Sequence, residues 1–134
     1  MKSLKSETLP IKTSSDVVLA RQKVRAWALE LKFTIVDQTK IVTAASELAR
    51  NTLEHGKGGK VTLEVLDDIS RKGLKLLFED SGPGIADLTL ALRDGFTTGG
   101  GMGLGLGGSK RLVNDFAVES EVGKGTKVTV IRWK

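Results

Sequence analysis

Cysteine is absent from this 134-residue chain. That excludes a disulfide framework and any thiolate-held metal, and it accords with a reducing compartment. Tyrosine is absent too, and aromatic residues make up only 4%. Basic patches interleaved with stacking rings, which would point to nucleic acid, are therefore missing, and no nucleic-acid partner is expected. The single histidine, His55, has no ligand-type neighbour at useful spacing and reads as a helix-end residue. Neither a zinc site nor a Ser/His/Asp triad has support. No apolar run approaches bilayer-spanning length, and residues 1–7 lack an apolar signal core. The expectation is a cytoplasmic, soluble, single domain over 1–134 with no membrane association. Lys and Arg outnumber Asp and Glu by 21 to 16, giving a net charge of +5. The excess is scattered, without a Lys/Arg block, and suits acidic partners or nucleotide phosphates.

Glycine is what the chain has in plenty. Seven of the ten residues 99–108 are glycine. Each glycine costs a regular element backbone entropy, so the run reads as neither helix nor strand. Residues 109–116 then read as a short helix with Lys110 and Arg111 near its start. A glycine-rich loop feeding a helix can cradle phosphates on its backbone N–H groups, or it can be a flexible linker. Residues 103–108 contain a G-x-G-x-x-G match, but no strand precedes it and no βαβ unit encloses it, so a dinucleotide fold is set aside. Residues 123–126 lack the spacing of a phosphate-binding P-loop.

The rest of the chain is well patterned. Pro10 confines residues 7–12 to an edge strand or arm. Ser14 or Ser15 is a suitable N-cap for a helix over 16–32, whose Val17, Ala20, Val24, Trp27, Ala28 and Leu31 form one apolar stripe. A second helix over 36–54 carries Ile41, Ala44, Ala45, Leu48 and Thr52 inward, with Gly56 as its C-cap. Residues 60–66 and 74–80 alternate as an antiparallel hairpin. A short helix is expected over 87–93. Residues 116–122 and 126–133 form the last two strands. The order β-α-α-β-β-α-loop-α-β-β predicts an α+β two-layer sandwich, a mixed, mostly antiparallel sheet with helices on one face.

Two placements bear on chemistry. Glu47 and Asn51 are four apart, stacked on the flank of the second helix's buried stripe. They sit either at a pocket rim or on a solvated flank. Asp80 continues the inward face of Leu74, Leu76 and Phe78. An inward carboxylate must find donors. It can accept from an exocyclic amino group such as that of adenine, or it can cap the turn at Ser81-Gly82-Pro83-Gly84-Ile85, whose glycines allow close approach or positive φ.

Taken together and in order, these segments resemble the GHKL ATPase superfamily. Residues 47–51 are similar to its N box, residues 80–85 to its D-x-G-x-G box, residues 99–107 to the second glycine box within its ATP lid, and Gly125-Thr126 to its last motif. At shorter range the chain resembles the RsbT-type serine/threonine kinases of bacterial stress-signalling modules. The matching segments are 46–51, 79–85, 94–100 and 131–133. It departs at Gly107-Gly108, where a proline is common. The resemblance implies a Bergerat-type fold binding ATP and Mg²⁺. Asp80 would accept from the adenine amino group, with Thr126 supporting it through water. Gly82, Gly84 and Ile85 would line the base. Thr97, Thr98, Gly99, Gly100, Gly101, Met102, Gly103, Leu104, Gly105 and Leu106 would hold the phosphates. Asn51 would ligate Mg²⁺ and Glu47 would be the general base. The implied substrate is a STAS-domain regulatory protein, and a PP2C-type phosphatase would be a second partner to activate. A homodimer is compatible. The alternative is an anti-sigma factor of the RsbW/SpoIIAB type, which sequesters a sigma factor and phosphorylates its antagonist. A detached histidine-kinase catalytic domain fits less well, since no dimerising hairpin with an acceptor histidine is visible.

Overall fold

The capping chemistry of the first helix sets the entry into the fold. In the computed structural model, which describes residues 1–85 and 106–134, Thr13 and not Ser14 or Ser15 is the N-cap of α1 (Ser14–Glu30). Asp16, three residues on, bonds back to the Thr13 backbone and closes a capping box. That reciprocal pair is why Thr13 wins among three hydroxyl residues in a row. The helix ends at Glu30, two residues short of expectation, because Lys32 takes a left-handed φ of 62°. Helix α2 (Ile35–Glu54) is capped by Thr34. Its expected inner stripe, Ile41, Ala44, Ala45, Leu48 and Thr52, is buried throughout. Gly56 does not supply the left-handed exit; Lys57 (φ 60°) and Gly58 (φ 101°) do.

The strands are β1 (Lys2–Ile11), β2 (Gly59–Asp67), β3 (Lys72–Asp80), β4 (Asp115–Glu121) and β5 (Gly125–Trp133). They form one sheet in the order β1-β2-β3-β5-β4, and each pairing is antiparallel. Pro10 lies in edge strand β1, where a missing N–H is tolerated, and a bulge interrupts that strand between Ser3 and Lys5. β4 stops at Glu121, and Val122, expected inside the alternation, is exposed.

Both long helices pack on one face of the sheet. Val24, Trp27 and Ala28 of α1 and Ile41, Ala45 and Leu48 of α2 meet Val61, Leu63, Leu74, Leu76, Phe78 and Val130 from the strands. Each large side chain contributes roughly 1.5–3 kcal/mol as an upper estimate. The opposite face carries cross-strand polar pairs, among them Thr8 with Thr62, Lys60 with Glu79 and Lys75 with Glu64.

The end of the glycine run is helical. α3 (Leu106–Arg111) begins inside it, so the expected helix over 109–116 is displaced toward the N-terminus, and Lys110 and Arg111 fall in its last turn. The cause is Leu106, which is buried in the common core and draws this turn against α2. That burial outweighs the entropy cost of two helical glycines, about 1 kcal/mol each. The helix expected over 87–93 lies outside the described residues.

Candidate nucleotide-binding site

The site lies where α2 meets the ends of β3 and β5. A small cleft, with ≈ 330 Å³ of empty space counting the solvent at its mouth, is lined by Leu48, Phe78, Ile85, Leu106 and Val128 as apolar wall. Asn51, Thr52, His55, Asp80 and Thr126 supply the polar groups. An apolar cleft with a few convergent polar atoms is the usual form of a small-molecule site.

Five of the residues expected at the site line this pocket: Asn51, Asp80, Ile85, Leu106 and Thr126. The sheet register explains the pairing of two of them, because Asp80 of β3 lies directly opposite Thr126 of β5. Glu47 stands one turn before Asn51 on α2, beyond the lining, where its Oε1 accepts from Arg50 at 3.0 Å. The other phosphate-holding residues expected, Thr97, Thr98, Gly99, Gly100, Gly101, Met102, Gly103, Leu104 and Gly105, lie outside the described residues.

Asp80 caps the turn, one of the two roles considered for it, and also lines the pocket. Its Oδ1 accepts from the Gly82 N–H at 2.9 Å and so caps the turn. Its Oδ2 has no hydrogen-bond donor among the described residues, and the residue lines the pocket. An ionised carboxylate can only accept, so a ligand here must bring a donor.

The turn after Asp80 is fixed from three directions. The His55 ring Nε2 lies 3.3 Å from the Gly84 carbonyl. The Gly123 N–H donates to the Pro83 carbonyl at 2.8 Å. Ser120 Oγ accepts from the Ile85 N–H at 2.7 Å, donates to the Gly125 carbonyl at 3.1 Å and lies 2.8 Å from Thr126 Oγ1. With the Ser120 proton committed to Gly125, Thr126 is the donor in that last pair. The Thr126 lone pairs are then left to accept from the pocket.

The glycines have separate reasons. Gly84 holds φ +76°, and a Cβ there would fall 2.3 Å from the Glu121 carbonyl oxygen. Gly82 approaches the Gly56 backbone so closely that its Cβ would lie 2.7 Å from Gly56 Cα. Gly56 was expected only to end a helix. It also makes room for the carboxylate, since a Cβ on Gly56 would sit 2.3 Å from Asp80 Cγ. His55, Gly56 and Ser120 are thus site residues that sequence reasoning passed over.

The model of the histidine kinase-, DNA gyrase B- and HSP90-like ATPases (HATPase_c) matches residues 36–134. The serine/threonine-protein kinase RsbT of Bacillus subtilis (strain 168) is 47% identical over 123 residues, 92% of each chain. This chain belongs to the RsbT-type kinases of that ATPase family. An anti-sigma F factor of Clostridium kluyveri is 32% identical over 124 residues, covering 88% of this chain and 86% of its own. Among solved structures, the RsbU and RsbW domains of Rv1364c from Mycobacterium tuberculosis superpose with a TM-score of 0.66 at 22% identity. That match covers 100% of this chain and 33% of the other, and it shows the fold alone.

The RsbT-type kinase is therefore an ATP-using protein serine/threonine kinase with the α+β fold of its family. Among the described residues no group of three acidic or histidine side chains could hold a metal by itself. Asn51 offers a hard amide oxygen, which fits Mg²⁺, an ion that takes few protein ligands and fills its shell with phosphate oxygens and water. No helix among the described residues is long and apolar enough to cross a membrane.

Proposed function

We propose that the pocket holds the adenine of ATP and that the kinase transfers the γ-phosphoryl group to a serine or threonine of a STAS-domain regulatory protein. The observation that carries the adenine reading is the Asp80 carboxylate, which lines a largely apolar pocket with one oxygen held by the Gly82 N–H and the other without a donor among the described residues. The adenine amino group is the donor such an acceptor calls for, and Thr126 supports it through a water. Gly82, Gly84 and Ile85 shape the wall against the base. Asn51 would hold Mg²⁺, and the ion would supply charge neutralisation at the phosphates. The stretch from Thr97 to Leu106 supplies backbone N–H groups to the triphosphate. The acceptor oxygen attacks the γ-phosphorus, the bond to the β–γ bridging oxygen breaks, and ADP leaves. Glu47, one turn from Asn51, takes the hydroxyl proton.

The whole chain, 1–134, acts as one kinase domain in the cytoplasm. Freed of its phosphorylated partner, it binds and activates a PP2C-type phosphatase. The 47% identity to RsbT supports this assignment over its alternative. Direct sequestration of a sigma factor is the second reading, favoured by the 32% identity to an anti-sigma F factor. Co-elution with a purified sigma factor separates the two.

Transfer from γ-labelled ATP to a purified STAS-domain protein tests the site. Glu47→Ala should lower transfer by about 10²–10⁴-fold while Mg·ATP affinity measured by calorimetry stays within about twofold. Asp80→Asn should weaken that affinity itself by about 10–100-fold, the effect of losing a hydrogen bond to a charged acceptor. A Glu47 variant that labels at the wild-type rate would remove the base assignment.

A further inference from the structure

A second concavity lies at the same end of the sheet as the nucleotide pocket and meets it at Asp80. It is open and broad, with ≈ 1360 Å³ of empty space against ≈ 330 Å³ for the pocket. Five lysines line it: Lys12 after β1, Lys57 in the α2–β2 turn, Lys60 on β2, Lys124 in the β4–β5 turn and Lys127 on β5. All five are exposed. They come from three separate stretches of sequence, at 12, 57–60 and 124–127, so the chain shows no basic block, yet the fold gathers them.

Glu79 and Asp80 also line the groove, so five lysines face two carboxylates there. Lys60 lies 3.7 Å from Glu79, and Lys124 lies 3.5 Å from Glu121 with both side chains largely in solvent. Lys12, Lys57 and Lys127 make no ion pair among the described residues. Clustered like charges destabilise a fold slightly and are tolerated where an oppositely charged partner meets them.

We propose that this groove docks an acidic surface of a protein partner of the kinase. The proposal rests on the protein-kinase reading only in naming a protein as the occupant. A groove this open suits a macromolecular surface better than a small anion, which needs enclosure. Single-stranded nucleic acid is the other polyanion to consider, but it gains much of its affinity from stacking on aromatic rings. No aromatic residue lines the groove among the described residues. A partner seated there lies at the catalytic end of the sheet and leaves the pocket between α2 and the sheet open to nucleotide.

The test uses the full chain and a fluorescein-labelled peptide of alternating glutamate and serine, read by anisotropy. Lys12→Gln/Lys57→Gln/Lys127→Gln should weaken binding by about tenfold or more, from three lost surface attractions. The comparison variant, Lys2→Gln/Lys72→Gln/Lys134→Gln, removes the same charge from the far end of the sheet and should bind as wild type. Rising salt should weaken the wild-type complex. Equal loss in both triple variants would reduce the effect to net charge and overturn the proposal, as would an unaffected groove variant. Oligothymidylate binding more tightly than the peptide through the same three lysines would overturn it in favour of nucleic acid. Calorimetry with Mg·ATP, expected unchanged in both variants, reports on the pocket separately, so the two readings fail independently.

Discussion

Gly56 carries more of the site than its lack of a side chain suggests. The Asp80 side chain occupies the space a Cβ would need, and the Gly56 backbone itself lies close against Gly82. Gly56→Ala must therefore push Asp80 aside, because the close approach of the Gly56 backbone to Gly82 leaves Gly56 little room to shift. Mg·ATP affinity should fall by about tenfold or more, with a drop of several degrees in the melting temperature in thermal unfolding. An alanine variant that binds nucleotide normally would show that the carboxylate is not held by this contact. Ser120 is the companion case. Ser120→Ala leaves the Ile85 N–H without its acceptor and should cost about 1–3 kcal/mol in denaturant unfolding. Asp80 could be singled out by alternation along β3 alone. His55, Gly56 and Ser120 could not, because their partners lie far along the chain. Ser120 is 35 residues from the Ile85 it holds, and His55 is 29 from Gly84. No local pattern encodes such a contact.

At the scale of elements, α2 does most of the positioning. Its buried stripe was legible because Ile41, Ala45, Leu48 and Thr52 recur at helical spacing, and that spacing alone puts Asn51 beside the sheet ends. The cap of α1 lies one or two residues before the expected Ser14 or Ser15, at a position the sequence marks: Asp16 stands three after Thr13, as a capping box requires. The start of α3 differs from expectation for another reason. Glycine content argued for a loop, and only the burial of Leu106 overrides it. The beginning of α2 is tied to both later elements by Arg132, which bonds Asp37 and reaches the Leu112 carbonyl at 2.9 Å. The Arg132 hydrogen bond holds the Asp37 carboxyl below its ordinary 3.8, against the opposing effect of burial. A lowered pKa means the stabilisation is complete above about pH 4 and is lost as pH falls through the folded-state value. Thermal melts from neutral pH to pH 3 should show an acid-side decline that Asp37→Asn shares less. Identical decline in the two proteins would place the acid sensitivity elsewhere.

For the molecule as a whole, one sheet with helices on a single face gives the kinase two unlike surfaces. The core between the layers extends to the nucleotide pocket through Leu48, Phe78 and Val128. Ligand binding and global stability are thus coupled. Mg·ATP at 100 times its dissociation constant should stabilise the fold by about 2.7 kcal/mol, a rise of roughly 10 °C for a domain of this size. The same titration on Asp80→Asn should give a markedly smaller rise. The sheet layers and strand pairing could be read from two-residue alternation. The gathering of five lysines at one end could not, because it depends on strand order, which places β5 between β3 and β4.

The bulge between Ser3 and Lys5 has a consequence for how copies of the chain behave toward one another. A straight ten-residue border would offer a long row of unsatisfied amides and carbonyls to any passing strand, the geometry that seeds fibres. The kink breaks that row near its start, and Pro10 removes a donor near its finish. The molecule keeps a long first strand for its fold without leaving it as a template for aggregation.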